Sequence, residues 1–283
     1  MAAGQSTLAA MADVESNLAV WERDWDWSRG GEEWSDSWGG TPALWFGVLL
    51  PRIHSFVPTG TILEIAPGYG RWTRYLKDLA ERLVAVDLAE NCIEHCRERF
   101  AGASNIELHV NDGRSLEMVP DRSIDFAFSF DSLVHAEADV LEAYLTQLAR
   151  KLKPDGVGFV HHSNAGGLGR VAALTRRVPE RLRRPLVQRG ALVDVYAWRA
   201  ESMSAERFAE QCERAGLACI SQEKINWESG AYLMDALSLF TPRGSRWERA
   251  LRISRNPLFR REARRLAWLY APSGFPGAGP GGG

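Results

Sequence analysis

Ile62-Leu63-Glu64-Ile65-Ala66-Pro67-Gly68-Tyr69-Gly70-Arg71 is the stretch on which the reading of this chain turns. A short apolar run enters a turn with two glycines, and a segment with Trp72, Tyr75, Leu76 and Leu79 on one helical face leaves it. Gly68 and Gly70 let backbone approach a ligand closely at a helix N-terminus. Residues 83–87 read as the next strand, and Asp87 ends it about 20 residues beyond the turn, where a carboxylate can accept hydrogen bonds from ribose hydroxyls. A dinucleotide site of the GxGxxG type would need a third glycine where Thr73 stands. Glu64, inside the strand, suits a ligand with a cationic centre or amino group better than it suits pyrophosphate.

Outward from the turn the pattern alternates. Strands are expected at 61–66, 83–87, 106–110, 124–130 and 157–161, and helices at 71–83, 90–100 and 138–152, the last stopped by Lys153-Pro154-Asp155-Gly156. Such alternation predicts an α/β fold around a parallel, doubly wound sheet. Residues 204–215 look helical, with Ser202 or Ser204 as N-cap, and 218–227 and 232–240 read as strands joined by Glu228-Ser229-Gly230. Upstream, 44–56 has helical spacing with Pro51 as a break.

The string from Ile62 to Arg71 resembles the first motif of class I S-adenosylmethionine-dependent methyltransferases. Asp87 is similar to the family's ribose-binding acid, and Asn111-Asp112-Gly113 to its adenine-edge acid after the third strand. The resemblance covers residues 60–165 and extends through the last two strands to 241. It implies a Rossmann-like, seven-stranded, mostly parallel sheet with an antiparallel last strand, and S-adenosyl-L-methionine as cofactor. Ala66 stands where the family usually has glycine. On this likeness Glu64, Ala66, Pro67, Gly68, Gly70, Trp72, Asp87, Leu88, Asp112, Gly113 and Phe130 are the expected cofactor contacts.

The fourth strand runs into Phe130-Asp131-Ser132-Leu133-Val134-His135 and the fifth into His161-His162-Ser163-Asn164. Ligands of open parallel sheets lie beyond the carboxyl ends of the strands, so Asp131, His135 and one of His161 and His162 are expected to face the transferred methyl. Methyl transfer to a hydroxyl requires its proton to be taken as the oxygen attacks, a task suited to a histidine. Neighbours on a strand point to opposite faces, so His161 and His162 cannot both serve. Nitrogen methylation, which needs no strong base, and a non-catalytic protein that binds the cofactor are the alternatives. The spacing of Asp131 and these histidines does not demand a metal, and none is expected.

Trp21, Trp25, Trp27, Trp34, Trp38 and Trp45 are interleaved with acids and broken by Gly30-Gly31 and Gly39-Gly40. Indole faces beside carboxylates suit sugar rings, which makes Trp34 and Trp38, with Asn164, candidate substrate contacts and the segment a candidate lid. The organisation expected is an N-terminal cap over 1–58, a methyltransferase domain over 59–241 with a helical insertion near 165–200, a basic helical extension over 242–273 and a disordered glycine-proline tail over 274–283.

The 283 residues carry a formal charge of −2, with 45% apolar and 25% charged residues, an ordinary globular mix. Residues 166–270 nevertheless carry about +9, which allows an anionic acceptor or a peripheral membrane contact. No aromatic-basic ladder points to nucleic acid. Cys92, Cys96, Cys212 and Cys219 lack the paired CxxC spacing of a zinc site. The start has no basic and apolar signal pattern and no apolar run spans a bilayer, so a cytoplasmic location is expected. The acceptor expected is a hydroxyl on a sugar, glycan or glycosylated small molecule.

Overall fold

Period-two alternation along each apolar run sends successive side chains to opposite faces of a sheet. The computed structural model describes residues 13–194, 198–227 and 232–270. The expected tail over 274–283 and the turn at 228–230 lie outside these residues. Among the described residues eight strands form one sheet: β1 (Thr59–Ile65), β2 (Ala80–Asp87), β3 (Ile106–Val110), β4 (Ile124–Ser129), β5 (Leu152–Ser163), β6 (Leu217–Ile225), β7 (Asp235–Pro242) and β8 (Arg252–Asn256). Their order is β3-β2-β1-β4-β5-β7-β6-β8. The neighbours among β1 to β5 pair in parallel, and β7 lies antiparallel between β5 and β6.

Strand β8 is the departure from the expected seven. It pairs in parallel with β6 and comes from the segment read as wholly helical. Arg252-Ile253-Ser254-Arg255-Asn256 alternates with period two, and the outer edge of β6 offers the backbone partners it needs.

Helices cover both faces. In chain order they are α1 (Val14–Ala19), α2 (Thr41–Leu44), α3 (Leu50–Ile53), α4 (Thr73–Leu76), α5 (Glu90–Arg99), α6 (Ala138–Lys151), α7 (Gly169–Arg176), α8 (Glu180–Gln188), α9 (Ala205–Arg214) and α10 (Phe259–Tyr270). Leu63, Ile65, Val84 and Val160 pack with Leu141, Leu145 and Leu148 of α6 and Phe208 of α9. Ile62, Phe126, Phe128 and Phe159 face the other way, onto Trp45, Leu49 and Ile53. Ser204 caps α9, accepting from the Arg207 amide. Pro51 does not break the helical segment over 41–53. It lacks the N–H that would bond back one turn, and the wider π turn at Trp45–Leu49 just before it takes up the mismatch. The helix expected over 71–83 shrinks to α4 and one 3-10 turn, because β2 begins at Ala80.

Gly158 of β5 is paired across the sheet with Phe240, whose ring occupies the space a side chain there would need. A methyl group there would be driven into that ring. Gly158→Ala is therefore expected to cost about 1–3 kcal/mol of stability, read as a lower urea midpoint at unchanged m-value.

Candidate functional site

Strand ends β1, β2 and β4 meet around one cavity, and parity decides which side chains reach it. Ala66, Pro67 and Gly68 line it from the turn, Asp87 and Leu88 from the end of β2, and Trp72, Gly113 and Phe130 from neighbouring loops. Ala66 has φ of +58° and Gly68 of +56°, so the turn passes through the left-handed region twice within three residues. A Cβ on Gly68 would press on the ring of Trp27. Asp87 is buried, and its two oxygens accept from the amides of Gly68 and Ala89, each at 3.0 Å. Burial raises its carboxyl to about 6 against those amides, which leaves it ionised at neutral pH with lone pairs to spare for a diol. The mostly apolar cavity with one such acid and a backbone cradle fits a ribonucleoside carrying a short aliphatic arm.

Three expected cofactor contacts stand elsewhere. Glu64 shares its face of β1 with Ile62, turned away from Leu63 and Ile65, and does not line the cavity. It is buried behind the turn, where Oε2 accepts from Thr73 Oγ1 at 2.7 Å and Oε1 has no partner. Burial raises it to about 8, so it is protonated at neutral pH and braces the turn as a neutral group. Gly70 also misses the cavity; its φ is +80° and a Cβ would strike Phe100 at 2.5 Å, so it serves the packing of α5. Asp112 is exposed and caps its own loop, accepting from the amides of Arg114 at 2.9 Å and Ser115 at 2.6 Å. Short acids after a strand favour such local bonds.

A second cavity, of about 340 Å³, adjoins the first and shares Trp21, Trp34 and Asp131 with it. That volume lies at the small end of ligand sites. Its walls include Trp198, Trp227, His135, Glu33, Arg199 and Asp235. Asp131 sits at the junction with φ of +65°, its carboxylate 2.7 Å from Arg71 Nη2 and both side chains nearly buried. Arg71 lies over the rings of Trp72 and Trp34 and also donates to Ser35 Oγ at 3.1 Å. The tryptophan segment is thereby tied to the glycine turn. Trp27 adds a stack on Tyr69, with centroids 4.3 Å apart.

The histidines separate by face. His135 lines the second cavity; its ring packs between Trp21 and Trp198, and Nδ1 is buried without a hydrogen-bond partner. Burial and then Arg199 lower it to about 4, against smaller pulls from Asp131 and then the Trp198 backbone. His162 is a correction to the sequence reading. It is fully buried on the α9 side, stacked on Phe208 at 4.2 Å, with Nδ1 on the Ser163 carbonyl and Nε2 on Ser238 Oγ, so it reaches neither cavity. His161 takes the opposite face, accepting from the Asp131 amide at Nδ1 and placing Nε2 3.4 Å from Asp235 Oδ2. It stands behind the cavity wall, not in it. Asp235 is held by Arg199 through bonds of 2.6 and 3.1 Å; burial alone would raise its carboxyl, but Arg199 and His161 outweigh that and hold it below the usual range.

Two expected acceptor contacts are also corrected. Trp38 is fully buried against Trp227 and Phe259, and Asn164 spends its amide on the Leu233 carbonyl and the Ala205 amide. The residues missed were Trp21, Trp27, Arg71, Trp198, Arg199, Trp227 and Asp235. The tryptophan density announced the first two, and Arg71 directly follows the turn. Nothing local marks the other four, which the fold gathers from beyond residue 197.

An acid-ended β2 beside a β1 glycine turn, in a sheet whose β7 runs against its neighbours, defines the class I methyltransferase fold. Residues 62–156 match the model of a methyltransferase domain family. The chain is 30% identical over 101 residues to ribosomal RNA small subunit methyltransferase A of Dehalococcoides mccartyi, covering 35% of this chain and 34% of that protein. It is 28% identical over 118 residues to phosphoethanolamine N-methyltransferase 1 of Triticum aestivum, covering 40% and 24%. The chain thus spans about a third or less of the length of the curated relatives it matches. Among solved structures it is similar in fold to the DhpI–SAM–HEP complex, with a TM-score of 0.54, 22% identity and coverage of 81% and 97%. A Pyrococcus horikoshii protein gives 0.51, 20%, 80% and 96%.

S-adenosylhomocysteine at about 100 times its Kd is expected to stabilise the chain by about 2.7 kcal/mol. Asp87→Ala should remove about 1.5–3 kcal/mol of that binding energy and most of the rise in Tm at fixed ligand. Asp112→Ala should leave the rise intact. Equal losses in both variants would show that Asp112 reaches the cofactor after all.

Proposed function

We propose that this chain transfers a methyl group from S-adenosylmethionine to a hydroxyl of a small polar acceptor, a sugar or glycosylated molecule, with His135 as general base. The observation that carries the reading is the unpartnered Nδ1 of His135, buried at the wall of a cavity that meets the cofactor cavity at Asp131. A buried polar atom with no partner is rare enough to require a reason, and an incoming hydroxyl supplies one.

When bound, the cofactor supplies an electrophilic sulfonium methyl that an oxygen lone pair attacks in line. Asp87 and the backbone of Ala66 to Gly68 would hold its ribose and aliphatic arm. Trp21, Trp34, Trp198 and Trp227 offer faces for the C–H side of a sugar ring and keep water from the reacting oxygen. His135 is neutral at pH 7, and so free to take the hydroxyl proton at Nδ1 as the new bond forms. Asp131, held rigid by Arg71, sets the passage between the two cavities and can orient the hydroxyl. The likeness to a phosphoethanolamine N-methyltransferase supports a second reading, in which a nitrogen is methylated in the same cavity. The position of the new methyl in the product separates the two.

His135→Gln is expected to lower kcat by about 10²–10⁴ while leaving the S-adenosylhomocysteine response unchanged. The group is active when deprotonated and its value is depressed, so with the cofactor kept saturating, where protonation of Asp87 near 6 does not limit binding, the rate should stay flat from neutral pH down to about 5 and fall through about 4. An acid limb near 6.5, the value of a free histidine, would point to a different base.

A further inference from the structure

Four carboxylates line the second cavity, and one of them stands apart; Asp194 has interactions of its own. Asp131 is neutralised by Arg71 and Asp235 by Arg199. Glu33 is different. Its Oε1 accepts only from Trp25 Nε1 at 3.3 Å, its Oε2 is buried with no hydrogen-bond partner, and among the described residues no Arg, Lys or His forms an ion pair with it. Glu33 is half-buried, and a buried carboxylate oxygen with no donor is costly unless a cation or strong donor meets it.

The surroundings exclude the opposite charge. Arg199 is the one basic residue with a guanidinium or ammonium at this cavity wall among the described residues, and both arms of its fork are engaged by Asp235. The arginines of α8 belong to a helix that buries no residue and lie away from the cavity. Trp21, Trp34, Trp198 and Trp227 meanwhile present four indoles, whose faces attract cations.

We propose that the acceptor carries a cationic nitrogen, held in the tryptophan-walled cavity against Glu33, so that the substrate class is an amino sugar or amino alcohol with a methylatable hydroxyl. This deepens the hydroxyl-transfer reading and rests on it for the identity of the acceptor. Arg71 and Arg199 do not repel the nitrogen, since each is already paired. A phosphorylated or carboxylated acceptor would meet Glu33 with no free cation to offset it.

The test uses two probes of nearly equal shape, choline and its neutral carbon isostere dimethylbutanol. Each is titrated into the chain saturated with S-adenosylhomocysteine and followed by tryptophan fluorescence. Choline should bind about tenfold or more tighter than the isostere, and Glu33→Gln should bring the two close to equal. The variant's Tm response to S-adenosylhomocysteine should be unchanged, since Glu33 is absent from the cofactor cavity. Equal binding of the two probes, no binding of choline, or a choline preference that survives Glu33→Gln would each overturn the proposal. The two readings fail separately. The probe preference is measured without any transfer, whereas the hydroxyl-transfer reading stands on the His135→Gln rate and the position of the product methyl.

Discussion

The buried ion pair between Arg71 and Asp131 is the constraint on which the rest of the site depends. A guanidinium and a carboxylate with so little solvent are stable only when both are fully partnered. Arg71 meets that demand by stacking on Trp72 and Trp34 and by donating to Ser35 as well as to Asp131. One side chain thus joins the glycine turn, the end of β4 and the tryptophan segment. Asp131 accepts a left-handed backbone in exchange, and its amide fixes the tautomer-determining contact of His161. The two cavities share a wall because these elements share an ion pair.

That arrangement explains why a segment so poor in regular structure is well packed. The tryptophan-rich stretch has short helical turns broken by glycines at positive φ, which cannot bury an apolar stripe as a long helix would. Its order comes instead from ring-on-ring contacts among Trp21, Trp25, Trp27 and Trp34, and from Trp27 on Tyr69. Trp21, Trp27 and Trp34 among these rings then face whatever enters the cavities.

The fold was legible in the sequence because strand and helix periods differ sharply around the glycine turn, and local chemistry specifies both. The residues lining the first cavity were legible where backbone decides, as at Gly68 and Asp87. Glu64 and His162 do not line the cavities because a one-residue change of parity sends a side chain to the other face of its strand. Asp112 was misread because a short acid beside free amides satisfies its own loop first. Trp38 shows the commonest outcome for a large ring, which is core. Trp227 and Asp235 carried no local signal at all, since only the return of β6 and β7 brings them to the ends of β4 and β5, and Arg199 is placed by its bonds to Asp235.

Strand β8 has a consequence for the molecule's life in a crowded solution. Without it, β6 would end the sheet with a row of open amides and carbonyls, the usual template for pairing with another chain. With it, the outermost strand is five residues long and carries Arg252 and Arg255, so two copies approaching edge to edge would bring like charges together. A five-residue edge bearing two arginines thus discourages growth of the sheet from that side, a consequence independent of any acceptor.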